Sequence, residues 1–202
     1  PYRRQRLMCI RDSRCSLTAV LPLLSAAGIE TDVIPTAVLS THTGGFSGYT
    51  YRDLTEDMLP IAEHWSSLGL TFDAIYTGYI GTPEQLTILN QIVCLLKKER
   101  TLLFVDPVMA DNGTLYKCIQ PEYIEEMRKF CRKADIITPN MTEAMFLLGM
   151  EYSEGPYQEK LVREILRRLA EFGNDYVILT GVSYDNDRLG AVAYDCAADR
   201  YI

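Results

Sequence analysis

Two apolar tracts that stop abruptly at polar residues constrain this chain most. The first is Phe104-Val105-Asp106-Pro107-Val108-Met109; about thirty residues later comes Ile136-Ile137-Thr138-Pro139-Asn140, with Glu143 close behind. A buried parallel strand is apolar along its length and delivers side chains to the carboxyl edge of an α/β sheet, where ligands bind. Pro107 and Pro139 end the two ladders because proline brings no backbone donor. The first tip then offers the carboxylate of Asp106, and the second offers Thr138, Asn140 and Glu143, with a helix starting near Asn140. Two acids and an amide on neighbouring tips suit a hydrated magnesium ion and the phosphates it carries, since that ion prefers oxygen ligands and keeps several waters. Either tip alone reads equally well as an ordinary strand end with capping residues. The pair points to a site.

The 202 residues are enough for one sizeable core, and nothing marks a boundary, so residues 1–202 read as a single domain. With 48% hydrophobic and 23% charged residues, the chain is not a disordered one. A net charge of −7 argues against a basic nucleic-acid surface, so no nucleic-acid partner is expected. An acidic protein can still bind phosphate locally through backbone amides and metal. No apolar stretch approaches the roughly twenty residues needed to span a bilayer, so no membrane partner is expected. The basic start, Pro1 to Arg6, runs into an apolar tract too short for a signal peptide, and the expected address is the cytoplasm. Cys9, Cys15, Cys94, Cys118, Cys131 and Cys196 include no C-x-x-C pair, which argues against a zinc site or a disulfide framework. His42 and His64 do not suggest a histidine metal site.

Apolar, β-branched tracts alternate with helical ones almost throughout. Residues 7–10 read as a strand, 16–27 as a helix capped at Gly28, 31–39 as extended, and 55–68 as a helix with acids in its first turn. Strand 74–77 enters the glycine-bearing tip Gly78-Tyr79-Ile80-Gly81. Thr82-Pro83-Glu84-Gln85 is a helix start, with a Thr cap, Pro at the first helical position and Gln placed for a capping box. That helix should reach about Lys98. Strands at 102–105, 135–138 and 176–180, helices at 121–133, 142–148 and 158–172, and a hairpin opening near residues 190–194 complete the pattern. Such alternation predicts an α/β fold, a mostly parallel central sheet with helices on both faces in a three-layer sandwich.

Several nucleotide and hydrolase motifs are missing. The sequence has no G-x-x-x-x-G-K-[ST], no G-x-G-x-x-G after its first strand and no G-x-S-x-G elbow. Three other segments remain as candidates. The polar turn Ser40-Thr41-His42-Thr43-Gly44-Gly45-Phe46 lets a small ligand approach the backbone at Thr43 and Gly44, or is simply a loop. Tyr79 can stack on an aromatic ring or pack at its strand end. Asp111-Asn112-Gly113 is a turn signature, yet Asp111 lies just beyond Asp106, where a second carboxylate helps to hold metal or substrate.

Taken in order, these segments resemble the pyridoxal kinase branch of the ribokinase-like superfamily, which also includes hydroxymethylpyrimidine kinases. The resemblance rests on RCSLTAVLPLLSAAGI (14–29), PTAVLSTHTGGF (35–46), YTGYIG (76–81), FVDPVMADNGTLY (104–116) and ADIITPNMTEAMFLLG (134–149). It implies a ribokinase-like fold and transfer of the γ-phosphoryl of ATP to the 5′-hydroxymethyl of a pyridine or pyrimidine ring. By position it implies that Asp106, Thr138, Asn140, Glu143 and Thr180 face ATP. Metal would be held, directly or through water, by Asp106, Asp111 and Glu143. Asp12, Ser13, Thr43, Gly44, Tyr79 and Tyr116 would face the vitamer, Tyr116 from a flexible flap. Mg2+ with ATP is the implied cofactor, the resemblance admits a monovalent cation such as K+, and the implied assembly is a homodimer.

Two departures bear on this reading. Family members carry roughly ND-x-SGFGRCSLT at the first strand tip, where this chain has RDSRCSLT (11–18), so an interruption with missing residues is expected within residues 11–15, beside Ser13. The family also carries a late G-[TS]-G-D motif, whose glycine amides form an anion hole and whose Asp takes the proton of the substrate hydroxyl. This sequence does not contain that motif, so no catalytic residue is assigned within it; the Asp and the C-terminal part of the domain are expected beyond Ile202. Hydroxymethylpyrimidine kinase activity is the nearest alternative, with THTGGF leaning toward pyridoxal. A non-catalytic vitamer- or nucleotide-binding protein is the alternative of another class.

Overall fold

The computed structural model describes residues 17–41, 47–117 and 119–202. The expected strand at residues 7–10 and the interruption expected within residues 11–15 lie outside them. Sixteen elements follow in chain order. They are α1 (Leu17–Ala26), β1 (Ala37–Leu39), β2 (Tyr51–Asp53), α2 (Thr55–Ser67), β3 (Ala74–Thr77), α3 (Pro83–Leu96), β4 (Leu102–Val105) and β5 (Ala110–Asp111). Then come β6 (Thr114–Leu115), α4 (Tyr123–Cys131), β7 (Ile136–Ile137), α5 (Met141–Leu148), α6 (Glu159–Ala170), β8 (Tyr176–Asp185), β9 (Arg188–Asp195) and β10 (Arg200–Tyr201). Gly28, the expected cap of α1, has the positive φ of +77° that such a cap requires.

The central sheet has six strands in the order β10-β9-β8-β7-β4-β3. β3, β4, β7 and β8 are parallel, and β9 and β10 add an antiparallel edge. One row across the sheet runs Tyr76, Phe104, Ile136, Tyr176, and the next runs Thr77, Val105, Ile137, Val177. Side chains alternate between the faces of a strand, and burial follows: Val105, Ile137 and Val177 are fully enclosed, whereas Tyr76 and Tyr176 are 49% and 40% exposed.

The topology explains which face is covered. From β3 to β8 each parallel strand is laid beside the last in one direction, and right-handed crossovers then put every connecting helix on the same side. Buried residues of α3, α4, α5 and α6 accordingly share one core with Leu103, Val105, Ile137, Val177 and Leu179.

Helix α6 shows how the sequence specifies this packing. Val162, Ile165, Leu166 and Leu169 recur at helical spacing and are all fully buried, while Arg163, Arg167 and Arg168 lie on other faces. Each such side chain contributes on the order of 2 kcal/mol by leaving water. Helix α3 is buried on two sides: Leu86, Leu89 and Val93 enter the main core, and Ile92 and Leu96 meet Met58 and Ala62 of α2 in a smaller one. At the opposite end of the sheet from the strand tips, Asp135 accepts from Lys97 Nζ at 2.5 Å and from the Leu103 amide at 2.6 Å, tying β4 to the start of β7. Among the described residues, no helix is long and apolar enough to cross a membrane.

Candidate active site

The strand tips meet on one edge, as their sequence pattern predicts. The Asp106 amide donates to Thr77 O at 3.1 Å, the Thr138 amide to Val105 O at 3.0 Å, and the Thr180 amide to Pro139 O at 2.9 Å. Asn140 and Thr180 also form a parallel bridge. Thr180 reaches this edge differently from the expectation: β8 does not end there but continues to Asp185. Gly181, with φ +69°, absorbs the register shift between Thr180 and Val182, and the resulting bulge turns the strand past the site.

Helix α5 starts at this edge with a complete capping box. Asn140 Oδ1 accepts the Glu143 amide at 2.9 Å, and Glu143 Oε2 accepts the Asn140 amide at 2.9 Å. Glu143 does more than cap. Only 2% exposed, it turns Oε1 to the amides of Met109 at 3.0 Å and Ala110 at 3.4 Å, just beyond the β4 tip. The residues that follow form the β5–β6 hairpin, whose turn residues Asn112 and Gly113 both have positive φ, as a tight hairpin turn requires. The start of α5 holds this hairpin as well: Asn140 Nδ2 donates to Ala110 O at 2.8 Å, and Thr142 Oγ1 accepts the Gly113 amide at 3.1 Å.

Burial dominates the electrostatics of both acids. Burial pushes the Asp106 carboxyl up to about 6, against a lowering hydrogen bond from Tyr76 Oη at 3.0 Å. Burial pushes Glu143 up to about 7; its three backbone amide donors oppose this and the charge of Asp106 adds to it. Tyr116 is raised to about 12, by burial first and then by the carboxylates of Glu143, Asp111 and Asp106, and its amide donates to Met109 O at 2.9 Å. Among the described residues, no lysine or arginine shifts either acid. Asp111 turns to its own turn, Oδ1 accepting the Asn112 amide at 2.9 Å and Oδ2 accepting Asn112 Nδ2 at 3.1 Å. Among the described residues, no three His, Cys, Asp or Glu side chains converge as a metal cage.

Tyr79 lies at the tip of β3 with its ring against Gly81, where a Cβ would come 3.1 Å from the phenol oxygen. Asp12, Ser13, Thr43 and Gly44 lie outside the described residues. Three participants went unnoticed in the sequence: Tyr76, Thr142 and Tyr152, whose ring packs over Gly113.

The phosphomethylpyrimidine kinase family matches residues 24–200. The chain belongs to this family. Among its relatives, the pyridoxal kinase of Ovis aries is 31% identical over 169 residues, covering 78% of this chain and 51% of the relative. A Bacteroides thetaiotaomicron protein assigned as a phosphomethylpyrimidine kinase, crystallised with pyridoxal, is 40% identical with a TM-score of 0.85, over 93% of this chain and 66% of that one. The pyridoxal kinase of Lactobacillus plantarum is 31% identical with a TM-score of 0.79, over 93% of this chain and 65% of that one. These likenesses bear out the ribokinase-like α/β fold. The chain spans about half the length of the curated relatives it matches.

Proposed function

We propose that this protein transfers the γ-phosphoryl group of ATP to the 5′-hydroxymethyl group of pyridoxal, pyridoxine or pyridoxamine. The observation that carries the reading is the pair Asp106 and Glu143. Both acids are drawn up by burial, no lysine or arginine among the described residues relieves either, and they meet where the β4 tip joins the start of α5. A divalent ion is the group that such a pair accepts. Asp106 and Glu143 would hold hydrated magnesium directly or through water, with Asp111 at the outer margin. When bound, the ion neutralises charge on the phosphates.

The chain's own residues supply placement. Thr138, Asn140 and Thr180 border the nucleotide on the shared edge. Tyr79 and Tyr116 face the vitamer, together with Asp12, Ser13, Thr43 and Gly44. Phosphoryl transfer asks mostly for such positioning and charge neutralisation. The vitamer assignment is supported by the pyridoxal bound to the Bacteroides protein and by the name of the Lactobacillus kinase, both above 30% identity. A homodimer and a cytoplasmic address belong to the same proposal.

An ADP-release assay on the full-length protein tests it, with pyridoxal, pyridoxine, pyridoxamine and hydroxymethylpyrimidine as acceptors, with and without magnesium. Vitamer turnover that needs magnesium and exceeds turnover on the pyrimidine is expected. Turnover on the pyrimidine alone would move the protein to thiamine synthesis, and binding of nucleotide and pyridoxal without turnover would make it a binding protein.

A further inference from the structure

Gln85 looks in sequence like the return half of a capping box, and in the structure half of that box is missing. Thr82 Oγ1 accepts the Gln85 amide at 3.1 Å, as a cap should. The Gln85 side chain does not return to the Thr82 amide. Its Oε1 accepts the amide of Gly81 at 3.0 Å, and its Nε2 donates to Thr36 O at 3.1 Å and to Thr55 Oγ1 at 2.9 Å, with Asp53 Oδ2 at 3.5 Å. The side chain is 1% exposed. One carboxamide thus joins the approach to β1, the β2–α2 junction, the tip of β3 and the start of α3.

The partners leave one orientation and one residue type. Gly81 N–H can only donate and Thr36 O can only accept, so reversing the amide would set donor against donor and acceptor against acceptor. A glutamate would offer acceptors on both sides, next to the carboxylate of Asp53. A methionine would fill the space and leave three polar groups without this partner. The hub also reaches Tyr79 by two routes. The Tyr79 ring lies on Gly81, whose amide Gln85 holds, and Thr36 Oγ1 donates to Tyr79 O at 3.4 Å.

We propose that Gln85 is a positioning residue for the vitamer end of the site, holding Tyr79 in one fixed relation to the start of β1 and the end of β2. This rests on the kinase reading above, in which Tyr79 faces the vitamer. The nucleotide edge, built on β4, β7, β8 and α5, shares no hydrogen bond with the Gln85 side chain.

The test compares full-length wild type with Gln85→Met and Thr55→Val, measuring KM for pyridoxal and for ATP, kcat, melting temperature and calorimetric binding of pyridoxal. Gln85→Met is expected to raise KM and Kd for pyridoxal at least tenfold, with KM for ATP changed less than twofold and kcat at saturation within threefold. Thr55→Val removes one partner and is expected to raise KM for pyridoxal about threefold in the same pattern, which decides the matter if Gln85→Met does not fold. A purely structural role would lower the melting temperature and the active fraction while KM for pyridoxal stayed at the wild-type value; that result overturns the proposal. If wild type binds no pyridoxal, the kinase reading fails and this inference with it. If wild type binds it and both variants bind equally well, the inference alone fails.

Discussion

Glu143 accepts the backbone amide of Met109 at 3.0 Å from a side chain only 2% exposed, so the first turn of α5 grips the tip of β4 from inside the protein. Its other oxygen is committed to the Asn140 amide at 2.9 Å. This carboxylate therefore serves folding as well as the site. A glutamine has one acceptor oxygen and would turn its NH2 toward one of these amides. Glu143→Gln is therefore expected to lose about 1–3 kcal/mol of stability, the cost of leaving a buried donor unpaired, as well as activity. Urea unfolding checks this. Equal midpoints for variant and wild type would show that the carboxylate serves ligands alone.

The raised acids make a prediction about pH. Asp106 near 6 and Glu143 near 7 both bind a proton more tightly in the folded chain than in the unfolded one. Their contribution to stability is complete below the ordinary carboxylate range, at about pH 4, and is lost as pH rises through their folded values. Ligand-free protein is expected to unfold at progressively lower urea between pH 5 and about pH 8, and Asp106→Asn to flatten the lower part of that slope. Saturating magnesium and ATP favour the ionised carboxylates and are expected to recover stability most at the upper end. A slope that rises with pH, measured at constant ionic strength, would contradict the shifts.

How much of this was legible in the sequence depends on the range of each interaction. The α5 box reads directly, because Asn140 and Glu143 are three residues apart and each satisfies the other's backbone. The β4 and β7 tips read for a similar reason, an apolar run stopped by proline. Tyr76 did not, because its bond to Asp106 depends on the pairing of Tyr76 with Phe104, and strand register is a tertiary fact. The β5–β6 hairpin was visible only as its turn, since two residues on each side carry no alternation to recognise. Gln85 misleads for the opposite reason: its local pattern fits a cap, and partners 30 and 49 residues away take the side chain instead.

Gly113 offers a test of the hairpin clamp. Its φ is +72°, and a Cβ there would lie 2.4 Å from the Tyr152 ring. Gly113→Ala is expected to destabilise by about 1–3 kcal/mol, combining left-handed strain with overpacking. In a Tyr152→Ala background the ring is gone and the strain remains, so the same change should cost less. A double-mutant cycle by thermal unfolding reads the difference. A coupling indistinguishable from zero would mean that Tyr152 does not pack on the turn in solution.

Tyr76 is the last and sharpest case, because its hydroxyl touches the site from the half-open face of the sheet. Its phenol is raised by burial and by the neighbouring Asp106 charge, so it remains a donor to Asp106 Oδ2 throughout the working range. That bond holds the Asp106 carboxyl below where burial alone would put it. Removing a bond worth about 1 kcal/mol moves a pKa by a little under one unit. In the full-length protein, Tyr76→Phe is therefore expected to shift the acid limb of the kcat/KM–pH profile upward by about half to one unit. Tyr76 is 49% exposed, and loss of its hydroxyl should cost no more than about 1 kcal/mol of stability. An acid limb that stays in place, with stability also unchanged, would mean that Asp106 works without its tyrosine.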